Sequence, residues 1–413
     1  NASGTWALRF RLVRGYGSDA MSIKGWLNEH PISTSAIGFS LLVAFLFWTA
    51  ALSKALIGFP YLDAEYKFED WVAQKGRAAA KDPRLYFLAD DAPSHQLDQL
   101  WDDEIEASPA LKLMKKSAWS RQVWAETLER LAGAGARVVA FDYMYKGVSD
   151  GDPAFRAALD KYAERVVVDS HIDDAYAANN PMPQIAGPHK DLIAETTDPR
   201  VGFINMFTDE DGVVRRMRFR ITREDLTGKA EMKAMPDQKE YESFAARMAR
   251  QAGEGDKIPP GREAHRIRYA YKGETLNEET KPQSLCNIFV PAIWEANFQN
   301  GEFFRGKIVL VGPEGNYTKD VGMSPFGTIA GPEFHLNALN AILTGEFLRE
   351  TSMWVDILLI FGSGLVAWGL GRLVNHPVFR LALVPILCAG GFLLARMAYN
   401  YGTVVPLFSP MLT

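Results

Sequence analysis

Two aspartates stand where a short apolar run stops: Asp90 beyond Leu85–Leu88, and Asp142 directly after Arg137–Phe141. A third run, Ile308–Val311, halts at Gly312 and Pro313 and opens into a loop that holds Asp320; beyond the loop His335 stands among Phe334, Leu336 and Leu339. Carboxylates and an imidazole at the carboxyl ends of strands can border a ligand cleft. The plainer reading makes Asp142 a helix cap, Asp211 a turn former and His335 a packed, satisfied side chain. Gly312–Pro313–Glu314–Gly315 lacks the Lys-Ser/Thr of a phosphate-binding loop. No Ser/His/Asp, Cys/His or paired-carboxylate spacing demands catalysis, so no catalytic residue is assigned. Two cysteines, Cys286 and Cys388, suffice for no zinc motif and are not expected to pair. No metal and no cofactor is expected.

The elements that must position these residues follow from hydrophobic pattern. Leu85–Leu88, Arg137–Phe141, Arg165–Val168 and Ile308–Val311 read as strands buried on both faces. Gln122–Ala132, Asp152–Tyr162, Ser243–Gln251 and the stretch from Glu333 to Gly345 read as helices. Val201–Phe207 and Val213–Ile221, joined by Thr208–Gly212, read as a hairpin at an antiparallel edge. Strands alternating with helices predict an α/β fold, a mixed but mostly parallel sheet flanked by helices. The Glu333–Gly345 helix is expected to run through Phe347–Ser352 into the apolar segment that begins at Trp354.

Apolar residues are unevenly placed. Ile32–Ser53 carries no charge and is long enough to cross a hydrocarbon core as a helix; Ile357–Gly371 and Leu381–Ala395 are further uncharged runs flanked by arginine. Residues 1–31 are expected to be a basic cytoplasmic segment, 32–58 a first span, 60–350 an outer domain, 353–371 and 378–398 two more spans, and 404–413 the start of a fourth. Residues 1–59 carry +3 and residues 351–413 carry +2; with −5 overall, the region between carries −10. Basic flanks and an acidic middle fit an N-terminus in the cytoplasm and the large domain outside. Nucleic acid is excluded as a partner by the acidic balance. The lipid bilayer is the expected one.

Gly306, Lys307, Val311, Gly312, Asp320, Ser324, Pro325, Gly331, Pro332, His335, Asn337 and Ile342–Leu343 together resemble the C-terminal part of CHASE2 domains, although Gly331-Pro332 reverses that family's Pro-Gly order. Further phrases match in the same order: Asp82-Pro83-Arg84; Trp119 and Arg121 before a helix, then Gly133-Ala134 and Val138–Asp142; Asp152, Phe155 and Ala157–Leu159; and Gly202, Asn205, Asp209, Asp211–Val213, Arg215 and Arg216. The resemblance covers roughly residues 60–400, with a gap at 222–265.

It implies an extracytoplasmic sensor of a bacterial inner-membrane signalling protein, followed by spans and a cytoplasmic effector such as a nucleotide cyclase or a kinase. It also implies a homodimer. Its stimulus would be a small molecule or a protein on the outer side, with Asp90, Asp142, Gly312, Asp320 and His335 as the ligand-binding candidates. The competing reading is a non-catalytic membrane scaffold whose outer domain holds another protein of a larger complex.

Overall fold

The computed structural model describes residues 59–116, 118–173, 184–222, 239–271, 282–314, 320–374 and 376–412, with residue 225 and single positions between 35 and 46. The basic segment 1–31 and most of the first apolar run lie outside the described residues. Two compact units are present. One combines residues 62–352 with 392–406; the other combines residues 1–61, 353–391 and 407–413.

In chain order the elements begin with α1 (Phe59–Lys75), β1 (Leu85–Asp90), three short helical turns between Ala92 and Met114, and α2 (Arg121–Gly133). Then come β2 (Val138–Phe141), α3 (Asp152–Lys161), β3 (Val166–Asp173), β4 (Gln184–Ala186), β5 (Val201–Phe203), β6 (Arg216–Met217), β7 (Arg220–Thr222) and β8 (Glu240–Glu242). Next are α4 (Phe244–Gln251), β9 (His265–Ile267), β10 (Gln283–Ser284), β11 (Ile308–Pro313), β12 (Val321–Ser324), β13 (Gly327–Ala330) and α5 (Gly331–Thr344). The chain closes with β14 (Phe347–Glu350), α6 (Met353–Leu373), α7 (Pro377–Asn400), β15 (Thr403–Val404) and α8 (Phe408–Leu412).

The central sheet runs β10-β1-β11-β2-β3-β4, with β5 also paired to β3. Every pairing in it is parallel except β3 with β4. Because successive side chains of a strand face opposite ways, each strand feeds two cores. Leu88, Val139 and Val311 join the core beneath α2 and α3. Ala89, Ala140 and Leu310 join the core beneath α4 and α5. The domain is therefore a mixed α/β fold whose mostly parallel sheet has helices on both faces, as the alternation of elements requires.

Helix α5 is buried from Pro332 through Leu343. Two asparagines tie it to neighbouring backbone: Asn337 accepts from the Ala270 and Tyr271 amides and donates to the Tyr271 carbonyl, all at 2.8 Å. Asn340 accepts from the Asp82 amide and donates to the Ala80 carbonyl. Gly345, at φ +72°, ends the helix in the left-handed region that glycine enters without strain.

Two expectations need correction. The Val201 and Val213 segments do not form a hairpin. Strand β5 is taken into the main sheet by β3, and beyond it Asn205 closes the ladder by bonding both the amide and the carbonyl of Ile172. The Val213 side splits into β6 and β7, which pair with β9 and β8 in separate sheets. The Asp209–Gly212 turn is present, and Arg215 fixes it through Asp209, Asp211 and Asp70. The antiparallel edge is β4 instead. Likewise Phe347–Glu350 is a strand rather than a helix, because the edge of β9 takes it up: Phe347 pairs with Ile267 and Leu348 with Arg266. A small sheet, β15-β14-β9-β6, results.

Among the described residues, α6 and α7 contain the two helical stretches long and apolar enough to cross a membrane, Met353–Leu370 and Leu381–Asn400. Leu358, Leu365, Leu381 and Ile386 are exposed on them. The expected fourth span corresponds to the five-residue helix α8, which packs on α6.

Candidate functional site at the strand ends

Strand register decides which predicted site residues meet. Ala89 pairs with Gly312, Val311 with Phe141, and Phe141 with Val168. Gly312, Asp142 and Asp169 consequently lie level at the carboxyl ends of β11, β2 and β3, one residue beyond side chains that face α2 and α3. All three turn to the other face, toward α5. The Asp142 amide donates to the Val311 carbonyl at 2.9 Å and extends the ladder by one step.

The close approach of α5 explains Gly312. A Cβ there would lie 2.8 Å from Pro332 Cγ and 3.2 Å from Asp142 Cβ, so no other residue fits without displacing the helix start. Asp320 lies against the neighbouring turn of chain: its carbonyl accepts from the Gly331 amide at 2.9 Å, and its carboxylate fills the place a Gly331 side chain would occupy. His335, one turn into α5, brings Nε2 to 3.8 Å from Asp142 Oδ2 and meets the Phe244 ring edge-on at 5.2 Å. That separation is too long for a hydrogen bond.

Electrostatics follows from burial. The Asp142 carboxyl is pushed up to about 8 by loss of water, with Asp320 adding to the effect. Burial likewise holds Asp169 well above the usual carboxylate range, aided by Asp142 and opposed by Lys146. Asp320 is raised by its own burial. His335 is pulled down to about 3, so near neutral pH it is uncharged beside a protonated Asp142. The cavity beside His335 measures about 10 Å³ and is lined by residues such as Phe203, Phe219 and Ala338, at the lower limit for a single water. A larger open groove, about 510 Å³, lies at the amino ends of the strands between Asp160, Glu164, Arg200 and Arg250.

Asp90 does not join this group. One residue beyond Ala89, it faces the α2 side, where its Oδ1 lies 2.5 Å from His95 Nε2 and His95 stacks on Trp119 at 4.3 Å. Next to it Asp91 caps a short helix, accepting from the Ser94 amide and hydroxyl and from the Ser284 hydroxyl. Among the described residues no group of three or more His, Cys, Asp or Glu is arranged to hold a metal ion.

Asp169 is the site residue that pattern reading missed. The signal for Asp169 was there, since it follows Val166–Val168 just as Asp142 follows Val138–Phe141. Several of the recurring phrases instead serve the scaffold. Arg121 and Asp152, from two separate phrases, form a buried pair at 2.6 Å. Lys307 donates to the Pro83 carbonyl, and Ser324 closes the β12–β13 turn through the Gly327 carbonyl.

The model of the family described as CHASE2 domain matches residues 41–371, most of the chain and all of this site. The chain belongs to the CHASE2 family. CHASE2 domains are extracytoplasmic sensor domains, so a sensory role follows for the fold described above. No curated protein and no solved structure matches the chain at a significant level. In this CHASE2 domain the residues brought together are Asp142, Gly312, Asp320 and His335, with Asp169 added and Asp90 set on the opposite face.

Proposed function

We propose that this CHASE2 domain is the outer, stimulus-receiving part of a membrane signalling protein of the bacterial inner membrane, anchored by α6, α7 and the apolar run ahead of α1. One observation carries the reading. Helix α5 begins on Asp142 and Gly312 and ends, fourteen residues later, at Gly345, from which β14 leads directly to Met353 at the start of α6. A change at the strand ends thus has a stiff, buried helix and a four-residue strand between it and the apolar anchor. Exposed leucines on α6 and α7, and Arg372 and Arg380 with no acid at the turn between them, support an anchor whose loop faces the cytoplasm. The effector is a nucleotide cyclase or a kinase on the cytoplasmic side, in keeping with the family, and the working form is a homodimer. Gly362 and Gly369 of α6, whose Cβ positions meet nothing within 4 Å, suit close helix approach.

The test is accessibility of single cysteines in the full chain. With Cys388 replaced by serine, the remaining native thiol is Cys286, which is buried and pushed up to about 11, and so gives little background. Asp63→Cys and Glu350→Cys are each expected to react with a membrane-impermeant maleimide on intact cells. Labelling that appears only after lysis overturns the placement.

A further inference from the structure

Asp142 and Asp169 are set side by side, and among the described residues no arginine or lysine is bonded to either. Neighbouring strands hold them in register, roughly 5 Å apart at the backbone, and both are buried. Three other buried acids, Asp152, Glu69 and Glu242, each meet an arginine at 2.5–2.7 Å. Here Oδ2 of Asp142 and Oδ2 of Asp169 accept no hydrogen bond among the described residues. A separate group points the same way: the Tyr145 hydroxyl, also buried and without a bond, is within electrostatic reach of both.

α5 presents His335 at 3.8 Å, and the segment before β12 presents Asp320. α4 presents Arg247, but its guanidinium is engaged by the Val201 carbonyl and Glu242. The loop after β2 presents Tyr143, Tyr145 and Lys146, whose ammonium sits 3.1 Å from His171. Arg121 lies across the sheet on Asp152. Among the described residues Lys146 alone offsets one of the two charges, through space and without a bond, and two ionised carboxylates on adjoining strands in a dry site cannot both persist.

We propose that the stimulus read at these strand ends is the proton: Asp142 and Asp169 form a proton-binding pair whose occupancy sets how tightly the start of α5 sits on the sheet. This rests on the sensor reading above. The step is a simple ionisation. The acid O–H of Asp142 gives its proton to solvent and leaves a carboxylate with no counter-charge, facing Asp169 and Asp320. Pro332 leaves no room for even a Cβ on Gly312, so the added charge is relieved by lifting the helix start and admitting water. Through Gly345 and β14 that shift reaches the residues that precede α6.

The experiment follows tyrosine and tryptophan signals, near-ultraviolet circular dichroism and fluorescence, in the full chain held in lipid nanodiscs as pH is raised from mildly acidic to alkaline. Wild type is expected to show a one-proton transition with a midpoint near pH 8. Asp142→Asn loses it, whereas Asp160→Asn, an exposed carboxylate of α3, keeps it. A flat wild-type titration, or a transition that survives in Asp142→Asn, overturns the proposal. Should Asp142→Asn fail to fold, infrared spectra of wild type decide: a protonated-carboxyl C=O band present at neutral pH and lost at alkaline pH supports it, and no such band at neutral pH overturns it. Maleimide labelling is independent of these outcomes, so failure of the outer placement and failure of the proton site are separately visible.

Discussion

The guanidinium of Arg268, 1% exposed, donates to the backbone carbonyl of Tyr399 at 2.6 Å across 131 positions of chain. The same group faces the carbonyls of Arg77 and Asn400 at 3.5 Å and the Glu346 carboxylate at 3.3 Å. Carbonyls at helix C-termini have no partner within their own helix, and a cation there also meets the negative end of the dipole. One arginine therefore finishes α7 and ties it to the chain just beyond α1. Gly76 permits the approach, for a Cβ there would overlap the Tyr399 ring.

Replacing Arg268 with methionine is expected to cost about 3 kcal/mol, the scale for breaking a buried ionic contact. Arg268→Lys should cost less, since it keeps the charge and loses only the fork. Urea unfolding of the purified chain measures both; equal losses would show that packing, not charge, matters at this position.

Stability should fall as pH rises. Asp142 titrates near 8 in the folded chain against about 3.8 when unfolded, so between those values the native state holds a proton that the unfolded state has released. Its contribution is complete below pH 3.8 and is lost as pH passes through 8, with a slope of up to about 1.4 kcal/mol per pH unit for one proton. Urea midpoints at acidic, neutral and alkaline pH should decline in wild type and flatten in Asp142→Asn. An identical decline in both would assign the effect elsewhere.

Gly312→Ala places a methyl against Pro332 and Asp142 and is expected to destabilise by about 1–3 kcal/mol, the range for overpacking. Gly133→Ala, whose Cβ would meet only the Tyr162 hydroxyl at 3.9 Å, should leave the thermal midpoint unchanged. A neutral Gly312→Ala would mean that the start of α5 already moves freely.

Asn337→Ala leaves the Ala270 and Tyr271 amides and the Tyr271 carbonyl without partners inside the core. At about 1–3 kcal/mol for each orphaned group, the loss should exceed that of any exposed asparagine variant in the same unfolding assay. Hydrogen exchange at Ala270 and Tyr271 should rise with it.

The central strands were legible because burial on both faces writes itself as uninterrupted valine, isoleucine and leucine, and Ile308–Val311 needs no partner to be recognised. Helix α5 was legible from its glycine stop and its apolar residues, but its burial on every side was not: Asn337 and Asn340 look polar until their backbone partners are known. The Asp142, Gly312, Asp320 and His335 grouping follows from strand ends, whereas the exclusion of Asp90 depends on which face each residue takes. That parity is fixed by register, which no local pattern reveals. Phe347–Glu350 failed for the same reason, since its strand state comes from the edge of β9, 80 residues earlier in the chain.

Strands β14 and β15 run parallel, with Arg349 beside Thr403 and Glu350 beside Val404. The first precedes one apolar helix and the second follows the next. Their ladder yokes the two segments, so the stretch of chain that enters α6 and the stretch that leaves α7 are held as one piece.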